Sequence, residues 1–386
     1  MRFLHTADWH VGKKLGRLDR LEETGRVLDE VVQIAADQEV DAVLVAGDLF
    51  DRAGPPLETL RLVIQTLVRL SAGDAKVVVL PGNYDSPELF SVMAPLLARF
   101  DIGVVHKPLE PDAGAVVEVP SRDGTTTGRV ACLPFVNEIQ VIDLKGLPEE
   151  GFKTYSDRIN KITHYFGSYL ARTASSHHVD LLMGHFMIHG ARPSGSEREL
   201  HIGEAFATTP EALPNTLKYA ALGHIHEPQD APGSSIPSRY SGSLMQLDFG
   251  EAGRDKSVCI VDVEPGMKPA RVTQLPITAG TPLRRVHDTR ENLKARVSEL
   301  QGAILDVWVQ TEGPEAGLAE EIRAFLPGAL NVHAEYERTD ERETRRDGAS
   351  LSELYEGYWV QRHGAPPSEE ILAALTELRG EVGAAW

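Results

Sequence analysis

Cysteine is nearly absent. The 386 residues hold two, Cys132 and Cys259, each inside a run of β-formers (R-V-A-C-L-P-F and S-V-C-I-V-D-V) where it reads as a small core residue. A disulfide scaffold is thereby excluded, and nothing asks for an oxidising compartment. Long apolar runs are missing too: no stretch approaches the roughly 20 residues that a membrane-crossing helix needs. The chain starts on β-formers rather than on an apolar leader with a small-residue cleavage site, so a cytoplasmic protein is expected. Positive charge is in deficit, with 39 Lys and Arg against 57 Asp and Glu for a net charge of −18. That balance disfavours a simple nucleic-acid binder, which needs clustered Lys and Arg. Bound divalent cations would reverse the potential locally.

What is present is an ordinary globular composition, 42% hydrophobic and 25% charged, long enough for two or three units. The periodicity predicts buried strands at Phe3–His5, Ala42–Ala46 and Val77–Leu80, separated by helices at Leu21–Gln38 and Leu57–Ser71. A helix near Glu88–Arg99, a hairpin of Val116–Val119 and Arg129–Phe135 around Asp123-Gly124, and a helix at Tyr155–Ala174 continue the pattern. Further strands follow at Val179–Met183, Lys218–Leu222, Arg239–Leu244, Lys256–Val263 and Arg271–Leu275, the last three reading as an antiparallel meander. The fold class expected is α/β, a two-sheet β-sandwich flanked by helices. After the turn-rich P-I-T-A-G-T-P, residues 278–336 read as a small α+β cap of β-α-β-α-β order. Residues 337–349 form a charged linker, and 350–386 hold C-terminal helices.

Five predicted strands end in a polar, mostly glycine-bearing turn that carries a metal-type ligand. They deliver Asp8 and His10, Asp48, Asn83, His185, and His224 with His226. Each alone is weak: D-x-H and G-D arise by chance, and a lone histidine after a strand is more often core. His224-Ile225-His226 is sharper, because alternate residues of an extended segment face one side. Ligands of α/β sheets gather at the carboxyl ends of strands, so the five ends are read as one site of oxygen and imidazole donors suited to two divalent cations, with Asp48 bridging.

This order resembles the calcineurin-like metallophosphoesterases. The wider motifs are similar to the SbcD family of bacterial double-strand-break-repair exonucleases: H-T-A-D-W-H-V-G, G-D-L-F-D-R-A-G-P-P, G-N-Y-D-S-P, S-G-S-E-R at 194–198, and G-H-I-H followed by Y-S-G-S. The resemblance implies a metallophosphoesterase nuclease domain over 1–277. It implies a manganese-dependent DNA phosphodiesterase, exonuclease on duplex ends and endonuclease on single strands, acting through a metal-activated hydroxide. Asp8, His10 and His226 would hold one metal and Asn83, His185 and His224 the other. It also implies a homodimer, and a coiled-coil SbcC ATPase partner gripped by the C-terminal helices, where Leu351, Leu354, Tyr355, Tyr358 and Trp359 share one helical face.

One position departs from the family, whose motif G-N-H-D reads Gly82-Asn83-Tyr84-Asp85 here. An imidazole with a pKa of about 6.5 can assist a leaving oxygen near neutrality, whereas a phenol near about 10 does so poorly. Tyr84 fits an inactivating substitution, a lineage variant using another acid, or a protein that has lost catalysis; metal binding is expected to survive while hydrolysis is reduced. Rivals are a small-phosphodiester enzyme of the same fold and a scaffold that binds DNA ends but cuts poorly. Lys13, Lys14, Arg17, Arg20 and Arg52 are candidate phosphate contacts, set against solvated or capping roles. The helix at 57–71 is apolar around much of its circumference, which suggests a homodimer contact or burial between layers.

Overall fold

The computed structural model describes residues 1–137, 144, 147, 152–197, 203, 206–266 and 268–336, together with 355–356, 358–360, 366–368 and 371–372. The chain opens with β1 (Arg2–Thr6), α1 (Leu21–Asp37), β2 (Ala42–Ala46), α2 (Leu57–Ser71), β3 (Lys76–Leu80), α3 (Pro87–Leu97) and β4 (Ile102–Val104). Then come β5 (Val116–Pro120), β6 (Thr127–Leu133), α4 (Tyr155–Arg172), β7 (His178–His185), β8 (Met187–Ile188), β9 (Ala207–Thr208), β10 (Tyr219–Gly223), β11 (Gln229–Asp230) and β12 (Ser238–Tyr240). β13 (Ser257–Asp262) and β14 (Arg271–Pro276) complete this part. Among the described residues no helix is long and apolar enough to cross a membrane.

Two six-stranded sheets result, ordered β14-β13-β1-β2-β3-β4 and β11-β12-β10-β7-β6-β5. β1 to β4 run parallel, as do β6, β7, β10 and β12, so their carboxyl ends lie at one edge of each sheet. The period-2 alternation decides what faces what. Leu4, Val43, Val45, Val77 and Val79 pack under α1, α2 and α3. Phe3, Leu44 and Val78 point the other way, against Val130, Leu181, Met183 and Tyr219 of the second sheet. Leu182, Ala220 and Leu222 face outward against Ile159, Ile162 and Phe166 of α4. Strands buried on both faces need apolar side chains throughout, which is why they read as unbroken β-former runs. Cys132 and Cys259 sit in the layer between the sheets.

The expected meander is corrected. β12 pairs parallel with β10 in the second sheet, while β13 and β14 form an antiparallel edge of the first. A three-residue strand carries too little pattern to specify its partner. The width of apolar surface on α2 also has a local explanation. Val63, Leu67 and Leu70 are fully buried, Leu60, Leu62, Ile64 and Val68 are half-buried against the same core, and Leu62 lies beside Gly25 of α1.

A separate three-stranded parallel sheet follows, β15 (Leu283–Asp288), β16 (Ile304–Gln310) and β17 (Ala329–Glu335), with α5 (Arg290–Ala295), α6 (Val297–Leu300) and α7 (Leu318–Phe325) between the strands. Its own core holds Leu293, Leu305, Val307, Val309 and Ile322. The single helix expected at 292–300 is broken at Arg296, which leaves helical backbone at φ −100° and ψ 11°. The linker at 337–349, Arg198, Leu351 and Leu354 lie outside the described residues.

Candidate metal centre

The loops after β1 and β2 are zipped together by backbone bonds. Asp8 N–H donates to Gly47 O, His10 N–H to Asp48 O and Val11 N–H to Leu49 O, each at 3.0 Å. Asp8, His10, Asp48 and His224 all have positive φ, at 53°, 45°, 53° and 97°. Side chains other than glycine avoid that region, so four such residues together mark a site whose surroundings hold the backbone in a strained shape. Two glycines make room for it. A Cβ on Gly47 would collide with the His185 ring, and one on Gly82 would collide with the Asp48 carboxylate.

The structure brings together all seven residues expected to ligate. Ligand atoms of Asp8, His10, Asp48 and His226 lie within 4.8 Å of one another, all buried. His10 Nε2 is 3.0 Å from His226 Nε2. His185 Nε2 is 3.2 Å from Asp48 Oδ2 and 2.9 Å from Asn83 Oδ1, and His224 Nδ1 is 2.9 Å from the same Asn83 oxygen. Asp48 thus stands between the two groups. Its Oδ1 accepts the Tyr84 N–H at 2.8 Å, and Asp8 Oδ1 accepts the His224 N–H at 3.0 Å.

The electrostatics ask for positive charge. Burial pushes Asp8 up to about 7, against the pull of His185 and His226 and with the Asp48 charge adding to it. Burial also disfavours the Asp48 charge, but His185, His10 and the Tyr84 N–H hold it well below the usual carboxylate range. His185 is itself raised to about 9, the nearby Asp48 and Asp8 charges outweighing burial. Asp8 Oδ2 is buried with no hydrogen-bond donor. Buried oxygens left bare beside imidazole nitrogens fit a divalent transition cation better than they fit a closed hydrogen-bond network.

Residues 1–228 match the calcineurin-like phosphoesterase family. The SbcD component of the SbcCD nuclease of Bacillus subtilis is 31% identical over 393 residues, covering 99% of this chain and 98% of that protein. The SbcD components of Rhodobacter capsulatus and Escherichia coli K12 are each 30% identical, over 74% and 81% of this chain and 71% and 78% of theirs. The chain belongs to the calcineurin-like phosphoesterase family, in its SbcD branch. The Asp and His cluster is accordingly a divalent metal site.

Around this SbcD-branch site stand residues that sequence reading did not single out. Asp85 is buried and accepts N–H bonds from Leu49 (3.1 Å), Phe50 (2.9 Å) and Gly82 (3.0 Å), tying together the loops that carry Asp48 and Asn83. Burial, and then the Asp48 charge, raises it to about 7. Asp51 lies 3.6 Å behind His10 Nδ1, with Lys13 Nζ 3.4 Å away on its other side. His185 donates from Nδ1 to Ala46 O at 2.8 Å. Phe135 stacks on His224 with centroids 6.1 Å apart. Asp85 and Asp51 lie within motifs already quoted; the aromatic had no signal.

Tyr84 is 8% exposed, its ring edge-on to His10 at 4.5 Å between centroids. Among the basic candidates Lys14, Arg17 and Arg52 are exposed, and Lys13 is paired with Asp51. Arg20 is a correction. It is 2% exposed, with Nε and Nη2 on Glu23 at 2.8 Å each and Nη1 on Gln246 O at 2.5 Å, so it braces the fold and is closed to a phosphate. Its pairing at i, i+3 is visible in the sequence once it is sought.

Proposed function

We propose that the chain is the nuclease component of an SbcCD-type complex, a metal-dependent phosphodiesterase that hydrolyses DNA, exonucleolytically at duplex ends and endonucleolytically on single strands. The observation that carries this reading is the convergence of Asp8, His10, Asp48, Asn83, His185, His224 and His226 at five strand ends in one cluster, buried except for the half-buried Asn83. Asp8, His10 and His226 would hold one divalent cation, Asn83, His185 and His224 a second, and Asp48 would contact both; manganese, the cation that the SbcD resemblance implies, accepts the carboxylate and amide oxygens of this set. A pair of such cations supplies Lewis-acid polarisation of the phosphodiester. The protein does the positioning. Ala46 O orients the His185 ring, Asp85 holds two ligand loops in register, and Tyr84 offers a hydroxyl donor where the family has an imidazole. A phenol supplies a hydrogen bond without an imidazolium's charge, so hydrolysis is slowed.

Lys14, Arg17 and Arg52 are the exposed cations proposed to meet DNA phosphates. The ATPase partner is assigned to the C-terminal helices, where Tyr355 and Trp359 pack at 5.9 Å and Tyr358 is 51% exposed. A homodimer is retained with a shifted surface: α2 exposes only Leu57 among its large apolar residues, whereas Val92, Leu96 and Phe100 lie exposed along and just after α3.

The deciding experiment is cleavage of single-stranded and blunt duplex DNA in manganese by this chain beside Tyr84→His, with bound metal quantified in both. Two metals in each and a rate gain of about 10²-fold or more in the histidine form support the reading. Hydrolysis of a small chromogenic phosphodiester with no cutting of DNA would keep the fold and discard the substrate. Tyr84 also favours a second reading, an end-binding scaffold; DNA binding with no cleavage in either form would select it.

A further inference from the structure

The motif Ser194-Gly195-Ser196-Glu197 contributes none of the seven ligands, yet it packs directly behind one of them. His226 Nδ1, on the far side of the ring from the cluster, is 2.5 Å from Ser196 Oγ. That same hydroxyl donates to Glu251 Oε1, which is 3.5 Å from His226 Nδ1. Glu251 is wholly buried, and its other oxygen accepts from Lys256 Nζ at 2.6 Å and from Leu247 N–H at 3.1 Å. Lys256, 5% exposed, also donates to His226 O at 3.0 Å and to Ser243 Oγ at 2.8 Å. Glu197 accepts the His226 N–H at 3.0 Å and the Ser194 N–H at 2.8 Å. The backbone of His226 is therefore held at both its N–H and its C=O, and the ring at its rear nitrogen.

Counting protons fixes the direction of this chain of bonds. Lys256 only donates and Glu251, as a carboxylate, only accepts. Ser196 has one proton, and its contact with the Glu251 oxygen requires that proton. Its oxygen must then accept from His226 Nδ1–H, which leaves Nε2 bare on the side facing Asp8 and His10.

We infer that Ser196 and Glu251 are positioning residues that fix the His226 tautomer, so that Nε2 is presented as a cation ligand. The inference rests on the metal-site reading given above. Ligating histidines whose rear N–H is held by an acceptor gain orientation and basicity, and removing such an acceptor weakens metal binding by about 10–100-fold. Ala46 O, accepting from His185 Nδ1 at 2.8 Å, holds a second ring of the cluster from the rear, whereas Asp51, 3.6 Å from His10 Nδ1, is too far for a hydrogen bond. Of the two rings so held, His226 alone is supported through a hydroxyl relay to a buried ion pair.

The test is calorimetric titration of the full chain with manganese(II), for the wild type, Ser196→Ala and Ser196→Thr, with melting recorded in chelator. Ser196 is half-buried, so Ala opens no large cavity, and Thr restores the hydroxyl. The expected result is a loss of affinity of about 10–100-fold for one of two equivalents in Ser196→Ala, recovery in Ser196→Thr, and closely similar melting for all three. Wild-type affinity in Ser196→Ala, or a loss that Ser196→Thr fails to restore, overturns the inference. A wild-type chain that takes up no manganese overturns instead the metal-site reading beneath it.

Discussion

Gly82→Ala is the sharpest test of the metal centre, because the substitution adds one carbon at a place with no room for it. A Cβ on Gly82 would lie 2.6 Å from Asp48 Cγ and 2.6 Å from Asp48 N. Non-bonded carbons settle at about 3.5–4.0 Å, so one strand end must retreat by roughly 1 Å. Asp85 resists that retreat, since it binds Gly82 N–H together with the Leu49 and Phe50 N–H groups that follow Asp48. Metal–ligand distances tolerate only about 0.2 Å, so Asp48 would leave the bridging position proposed for it. We expect overpacking to destabilise the chain by about 1–3 kcal/mol and manganese affinity to fall on the order of 100-fold or more. Titration calorimetry and elemental analysis after desalting read this out. Gly73→Ala serves as the control, because a Cβ there meets nothing within 4 Å. Two equivalents of manganese bound by Gly82→Ala with the affinity of Gly73→Ala would refute the placement of Asp48 between the two ligand groups.

Arg20→Ala leaves the buried Glu23 without its cation and should destabilise the chain by about 3–5 kcal/mol while DNA affinity is retained; Lys14→Ala and Arg17→Ala should do the opposite and reduce the salt dependence of DNA binding. A DNA-specific defect in Arg20→Ala at unchanged melting temperature would restore it as a phosphate contact. His5, wholly buried with Nδ1 2.9 Å from Tyr219 Oη, is held down at about 3 by burial, with the Arg239 charge adding to it. Its folded pKa lies below its unfolded one, so its contribution is complete above about 6.5 and is lost as pH falls towards 3, at about 1.4 kcal/mol per pH unit. Urea denaturation between pH 6 and 4 should show that slope reduced in His5→Gln; an unchanged slope refutes the assignment. Leu96→Lys on α3 should shift the sedimentation equilibrium toward monomer without altering manganese uptake, and a wild type that is wholly monomeric at micromolar concentration argues against the dimer.

The layered core was legible because its central strands are buried on both faces, leaving runs such as Ala42–Ala46 that no surface element would carry. Helix starts were legible from apolar periodicity rather than from caps: α1 and α2 begin at Leu21 and Leu57 as read although neither has a side-chain cap, whereas α5 begins at Arg290, two residues before the expected start, despite the Thr289 cap. Strand partnership was not. β12 has three residues, and nothing local to it states that it joins β10 rather than β13. The seven candidate ligands were legible because they stand at the ends of five strands, β1 and β10 being followed by two each. Their supports were not, because Lys256 reaches His226 O across 30 residues and Ser196 reaches Glu251 across 55, with no period to announce either contact.

The ligand turns were also the places where local rules break, and that has an energetic meaning. Asp8, His10 and Asp48 occupy the left-handed region at about 1–2 kcal/mol each, with His224 also at positive φ. Against a net folding stability of about 5–15 kcal/mol that strain is substantial. It persists because the backbone bonds from Asp8 and His10 to Gly47 and Asp48, and the bond from His224 N–H to Asp8, over-determine the loops. The ligand side chains are therefore arranged by the fold itself. A cation arriving at this edge of the sandwich meets donors already in position, and its binding energy is not consumed in ordering the loops.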